Sequence, residues 1–153
     1  MLFRSLLAVI GEEQRENMIN MARERIRDDV RFHGTHASFL LDVGRTAAAA
    51  EYVMAHAGEL DGNLYNSLLP LADEMAKAGQ PLAASLLYRA LLLSILERGY
   101  TKAYPHGIRY LKKLEKLAAA ITDWQGVSGH AAFLEILHRD HGRKTSFWSK
   151  CGA

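Results

Sequence analysis

The densest set of charged groups that could do chemistry lies in residues 105–121. Four cations recur there at spacings of three, four and three residues: His106, Arg109, Lys113 and Lys116. On a helix this spacing places them on one face. Such a row can bind phosphates or carboxylates by charge and, at the arginine, by paired N–H donors. The ordinary alternative is a solvated lysine face opposite an apolar stripe.

A second basic cluster follows the last predicted helix, about residues 129–140. The connector before that helix, residues 122–128, is short, and a short connector favours antiparallel packing of the helices that it joins. The end of the last helix would then return to the start of the 105–121 helix. We therefore predict one basic binding surface, formed by His106, Arg109, Lys113, His141, Arg143 and Lys144.

The histidines raise the question of a metal site. His138 and His141 are one helical turn apart, but His106, His130 or Cys151 would have to complete the ligand set. No carboxylate stands in a recognised zinc motif, and His141 also suits the C-terminal end of a helix, where its charge meets the helix dipole. The sequence therefore predicts no metal and no cofactor, and its single cysteine forms no internal disulfide.

Catalytic motifs give little support to an enzyme. The segment from Arg27 to His33 resembles the loose Arg–polar–x4–His pattern of HEPN ribonucleases, which are also all-α, but so short a pattern recurs by chance. No GxSxG, GxGxxG, HExxH or phosphate-binding loop motif occurs in the chain. We predict that the protein is not an enzyme.

The element that must position these groups runs from Gly79 to Leu96, GQPLAASLLYRALLLSIL. It is apolar almost all round, and only Ser85, Arg89 and Ser94 interrupt it. A helix of this kind needs neighbours on most of its sides, so we predict that it is the central helix of an all-α domain. The expected core includes Leu87, Leu91, Ile95 and Leu111.

Two segments repeat at an offset of 35 residues, DVGRTAAAAEYV (42–53) and KAGQPLAASLLY (77–88). Each contains the end of a helix, a glycine, and small apolar residues at the start of the next helix. A period of 34–35 residues with paired helices indicates the tetratricopeptide-like class, although that class normally has three copies or more.

The length of 153 residues predicts one all-α domain, either a tetratricopeptide-like solenoid or a compact helical bundle. Its predicted parts are an N-terminal helical arm or cap (1–34), two repeat-like hairpins (35–98) and a divergent C-terminal hairpin with a tail (99–153). Phe147 and Trp148 of the tail are expected to fold back and seal the end of the array.

Charge is distributed unevenly. Residues 1–96 hold 9 basic and 12 acidic side chains, and residues 97–153 hold 10 basic and 5 acidic ones, so the C-terminal third carries a mildly positive field. No apolar run approaches the ~20 residues of a membrane span. The opening MLFRSLLAVIG has too short an apolar core for a signal peptide, and acidic residues follow it at once. We expect a cytoplasmic protein with no membrane partner.

Four segments carry a resemblance to a known family: LADEMAKAGQPLAASLLYRALL, YPHGIRYLKKLEKLA, DW (123–124) and HGRKTSFWS. Over about residues 60–150 the chain resembles a family of uncharacterised bacterial proteins with an α-helical repeat region. Some relatives are linked to SWIM-type zinc-finger proteins. The resemblance implies a fold but no activity, and the cysteine–histidine zinc motif of SWIM proteins is absent here.

Taken together, the patterns predict a helical-repeat module that binds a protein or peptide partner through a groove or through its basic end. The alternative is a nucleic-acid-associated protein that binds phosphates through the basic C-terminal hairpin. A series of salt concentrations separates the two, because affinity for nucleic acid falls steeply with ionic strength.

Overall fold

A computed structural model describes residues 14–21 and 32–151. Residues 14–21 are helical. Seven further helices follow in the described part: α1 (Gly34–Asp42), α2 (Thr46–Ala55), α3 (Tyr65–Lys77), α4 (Pro81–Arg98), α5 (Tyr104–Ala118), α6 (His130–His141) and α7 (Thr145–Lys150). No strand occurs among these residues, and the predicted all-α fold is confirmed. The apolar opening and Arg27 of the ribonuclease-like pattern lie outside the described residues.

Helix α4 lies at the centre of the fold. It packs against α2, α3 and α5, and buried residues occur on all of its sides. The predicted core residues are buried as expected: Leu87, Leu91, Ile95 and Leu111. The three polar residues that interrupt the apolar sequence of α4, Ser85, Arg89 and Ser94, are buried too. None of the helices in the described ranges combines the length and the apolar character needed to span a membrane.

The 35-residue repeat has an equivalent in the backbone. Gly44 and Gly79 both adopt positive φ, of 81° and 76°, directly after α1 and α3. The following residue closes the same hydrogen bond each time, from Arg45 N to the carbonyl of Leu40 (2.8 Å) and from Gln80 N to that of Met75 (3.0 Å). The sequence repeat therefore corresponds to two copies of one helix–turn–helix joint.

The C-terminal hairpin differs from the prediction at two helix ends. Helix α5 ends at Ala118, so Ile121 is not part of its inward stripe. The reason is a tightened last turn, in which Ile121 N donates to the carbonyl three residues before it, at 3.2 Å. The last helix, predicted from about residue 129, begins at His130, and Gly129 stands at its capping position without a side-chain hydrogen bond.

The tail folds back as expected. Phe147 in α7 is completely buried, and its ring meets that of Tyr104 edge to face, with centroids 5.4 Å apart. Trp148 is half-buried and stacks on the imidazole of His138, with centroids 3.9 Å apart. Helix α7 thereby packs against α5 and covers its first turns.

Candidate functional site

A groove of about 570 Å³ opens between α3 and α5, above α4. Its floor is apolar, with side chains of α3 and α4 that include Leu69, Pro70, Leu91 and Ile95. Three tyrosines stand around this floor: Tyr65, Tyr100 and Tyr110. We call this depression, lined by these seven residues together with Arg98, His106 and Arg109, the tyrosine groove. Tyr65 and Tyr100 are 54% and 50% exposed, which is unusual for large apolar side chains.

The charged groups that line the tyrosine groove are all basic. Arg98, His106 and Arg109 belong to its wall, and no carboxylate does. Arg109 donates a hydrogen bond to Nδ1 of His106, one turn earlier on α5. Arg98 donates from Nε to the carbonyl of Ser94 at 3.3 Å, and its guanidinium lies 6.0 Å from the centre of the Tyr100 ring. The groove therefore presents cations next to aromatic and apolar surface.

One helical turn beyond the groove, α3 and α5 are joined by an ion pair. Lys113 Nζ lies 3.0 Å from Asp73 Oδ1 and 5.2 Å from the centre of the Tyr88 ring, and the Tyr88 hydroxyl donates to the same carboxylate. Burial alone would raise the pKa of Asp73, but the hydrogen bonds from Tyr88 and Lys113 hold it below its ordinary value. Burial, and then the Asp73 carboxylate, raise the pKa of Tyr88. At this end, therefore, α3 and α5 are joined directly by the side chains of Asp73 and Lys113.

The predicted basic residues lie on α5 and around the junction of α6 and α7. His106 and Arg109 lie together in the tyrosine groove, whereas Lys113 is paired with Asp73. The others are at the junction of α6 and α7, where the backbone carbonyl of His141 accepts a hydrogen bond from Trp148 Nε1 at 2.9 Å. Arg143 is exposed there, and Lys144 precedes the first residue of α7. A single surface that includes His141, Arg143 and Lys144 remains a prediction.

Metal binding has no geometric support in the part of the chain that the structure describes. No group of three or more histidine, cysteine, aspartate or glutamate side chains is placed there to hold an ion. His138 stacks on Trp148, and burial raises the pKa of the Cys151 thiol.

Sequence reasoning missed three groove residues, Tyr65, Arg98 and Tyr100. Tyr65 is the first residue of α3, and Arg98 and Tyr100 lie at and just beyond the end of α4, so they line one groove only because these two helices pack side by side. A tyrosine directly after a helix-ending glycine, as at Tyr100, was the available signal, because it lies outside the apolar sequence of α4.

Comparison with known proteins gives a family and no activity. The sequence matches the model of a family of unknown function (DUF6880) over residues 18–150. This confirms the resemblance to an uncharacterised family; the link to SWIM-type proteins and the tetratricopeptide-like class stay predictions. No curated protein and no solved structure is significantly similar to the chain.

Proposed function

We propose that this chain, which belongs to the family of unknown function DUF6880, binds a partner protein through the tyrosine groove. The ligand is a short acidic segment of the partner that also carries apolar side chains. The observation that supports the proposal is the lining of the groove, which combines an apolar floor, three tyrosines and three basic groups without a carboxylate.

Charge complementarity determines the sign of the ligand. Arg98 and Arg109 face the groove without a carboxylate of the chain among the lining residues, so an acidic segment gains attraction without displacing an internal ion pair. Arginine also offers a planar pair of donors that fits a carboxylate. Lys113 supplies no such attraction, because Asp73 already holds it.

The aromatic and apolar lining favours a peptide over nucleic acid. Tyrosine and arginine are enriched in protein interfaces, where they provide most of the binding energy. The floor of Leu69, Leu91 and Ile95 can bury apolar side chains, which a phosphate backbone does not have. Nucleic acid instead needs a continuous track of free cations, and here the next cation on the same face of α5, Lys113, is paired with Asp73.

Fluorescence anisotropy with labelled twelve-residue peptides tests the proposal. Three sequences are compared, with alternating leucine and glutamate, serine and glutamate, or leucine and lysine, together with a twelve-nucleotide thymidine strand. The leucine–glutamate peptide is expected to bind most tightly. Arg109→Glu should weaken this binding at least about tenfold, the effect of losing about 1.4 kcal/mol of charge interaction.

Lys116→Glu is the matched control, because it makes the same change of charge at an exposed position of α5 outside the groove. It should change the affinity by less than about twofold. Tighter binding of the thymidine strand than of any peptide, or equal losses in the two variants, would contradict the proposal and favour the nucleic-acid alternative.

A further inference from the structure

Arg89 is a buried cation in the middle of α4 without a counter-charge. Arg89 is 8% exposed, and neither its Nε nor its Nη2 has a hydrogen-bond partner. No ion pair to Arg89 exists among the described residues, and burial lowers the pKa of its guanidinium. A buried charge without a partner is costly to the fold, so a structure that retains one calls for a reason.

Aromatic rings cover the guanidinium from the side of α6. The Phe133 and Trp124 rings have their centres 4.5 Å and 5.3 Å from the Arg89 carbon Cζ. Rings in this position attract a cation through their faces, but they accept no hydrogen bonds in the guanidinium plane. Buried polar atoms without partners also occur nearby, at Ser85 Oγ one turn earlier on α4 and at His130 Nε2, whose pKa is lowered by burial and by the charge of Arg89.

Arg89 lines a cavity of about 410 Å³. The cavity lies between α4, the 57–63 loop and Phe133 of α6, and it carries both signs of charge. Arg89 and Arg98 contribute the cations, and Asp61 and Glu97 contribute the carboxylates. Apolar side chains complete the lining, among them Leu60, Leu86 and Leu93.

We propose that this Arg89 cavity binds a free α-amino acid with an apolar side chain. The carboxylate of the ligand would pair with the Arg89 guanidinium, the ammonium group would meet Asp61 or Glu97, and the side chain would lie against the leucines and Phe133. Each of the three parts of the ligand then has a complementary group in the lining of the cavity.

The balance of charges favours a zwitterion over a phosphate. Two guanidinium groups and two carboxylates line the cavity, so its formal charge is zero. A phosphate dianion would be attracted by Arg89 and Arg98 but repelled by Asp61 and Glu97. An amino acid brings one charge of each sign, and its volume suits a cavity of this size.

The test uses Trp124 as a reporter, because its ring lies over Arg89. Trp148→Phe leaves Trp124 as the only tryptophan of the full chain. Its emission is followed while leucine, 4-methylpentanoic acid, 3-methylbutylamine or inorganic phosphate is added. Leucine is expected to change the emission with saturation, the acid to bind at least about tenfold more weakly, and the amine and phosphate not to bind.

Arg89→Met in the same background should abolish leucine binding and, without ligand, raise the melting temperature by about 2–4 °C, because a buried unpaired charge is replaced by an apolar chain of similar length. Lys112→Met, which removes an exposed cation of α5, should change neither result.

The proposal is overturned if the amine or phosphate binds as tightly as leucine, or if no compound changes the emission. A lower melting temperature of Arg89→Met would also overturn it, because the guanidinium would then serve the fold by itself. The Arg89 cavity and the tyrosine groove share Gly62 and Arg98 in their linings, but Arg89 lines only the cavity and Arg109 only the groove. Loss of leucine binding in Arg89→Met and loss of peptide binding in Arg109→Glu are therefore distinguishable results.

Discussion

The seam between α3 and α5 has a closed half and an open half. In the closed half Asp73 and Lys113 face each other across α4, and the Tyr88 hydroxyl completes the network. In the open half, one turn earlier on both helices, Leu69 replaces the acid and Arg109 the lysine, and the tyrosine groove lies between them. The same pair of helices is thus joined by an ion pair in the closed half and separated by a groove in the open half.

The difference shows which polar groups are available to a partner. The ion pair of Asp73 with Lys113 joins α3 to α5, so Lys113 is already paired within the chain. Arg109 lines the groove without a carboxylate among its lining residues, so under our proposal a ligand supplies one. Position in the fold, and not the number of cations on α5, therefore decides which basic residue of α5 is paired with a carboxylate of the chain.

The largest loss of stability is expected from a substitution in α4, against which both α3 and α5 pack. Leu91→Ala should lower the free energy of unfolding by about 2–5 kcal/mol, because Leu91 is 1% exposed at the centre of α4 and its loss leaves a cavity. Urea denaturation measures the change. A loss below about 1 kcal/mol would mean that α4 does not hold the two halves together.

A substitution at Gly62, which lines the groove of the open half, tests how closely the 57–63 loop packs on α4. A Cβ added to Gly62 would meet the backbone carbonyl of Ala90 and come within 2.6 Å of Ser94 Cβ, so the 57–63 loop would have to move away from α4. Gly62→Ala should cost about 1–3 kcal/mol in urea denaturation. Gly58→Ala in the same loop is the control, because its Cβ meets no atom within 4 Å, and it should stay within about 0.5 kcal/mol of the parent.

The open half can be converted toward the closed one by adding a carboxylate. Asn66 is exposed and lines the groove, so Asn66→Glu brings an acid to the side opposite Arg109. We expect the leucine–glutamate peptide to bind about tenfold more weakly, because the new carboxylate competes for the arginine. Asn66→Gln adds the same length without charge and should stay within about twofold of the parent. Equal losses in the two variants would show that charge does not govern the groove.

The smallest loss of stability is expected from breaking the ion pair of the closed half. Lys113→Met removes the partner of Asp73 and should cost less than about 1 kcal/mol at pH 7, since the pair is partly exposed. The pKa of Asp73 is below its ordinary value in the folded chain, so the stability from this pair is present above about pH 4 and is lost as the pH falls through the folded pKa. Denaturation curves of parent and variant should therefore converge in acid. A constant difference down to pH 2 would contradict this assignment.

The sequence predicted the helices and the centre of the fold better than the site. The apolar circumference of residues 79–96 and the repeated glycines, Gly44 and Gly79, are local signals, and the structure has both α4 and the two equivalent joints. The spacing of His106 and Arg109 correctly placed them on one face of α5. The end of α5 was predicted too late, because Ile121 continues the apolar period while the backbone has already tightened into a turn.

Tertiary neighbours could not be predicted in the same way. Whether Lys113 is free depends on Asp73, which is 40 residues away in sequence, and Tyr65 and Arg98 line one groove only after α3 and α4 pack. Arg89 was visible as the one charge within the apolar helix. Its lack of a counter-charge, however, is a property of α6, Trp124 and the 57–63 loop, which no local pattern places around it.

The most direct test of the central claim is to map where an acidic, apolar peptide contacts the chain. Two-dimensional ¹H–¹⁵N spectra of the labelled protein would be recorded during a titration with the leucine–glutamate peptide. We predict that the largest shifts occur at amides of the open half: Leu69, Ile95, Tyr100 and Arg109. Shifts centred on His141, Arg143 and Lys144, with the groove amides unchanged, would contradict the account and assign binding to the C-terminal part of the predicted basic surface instead.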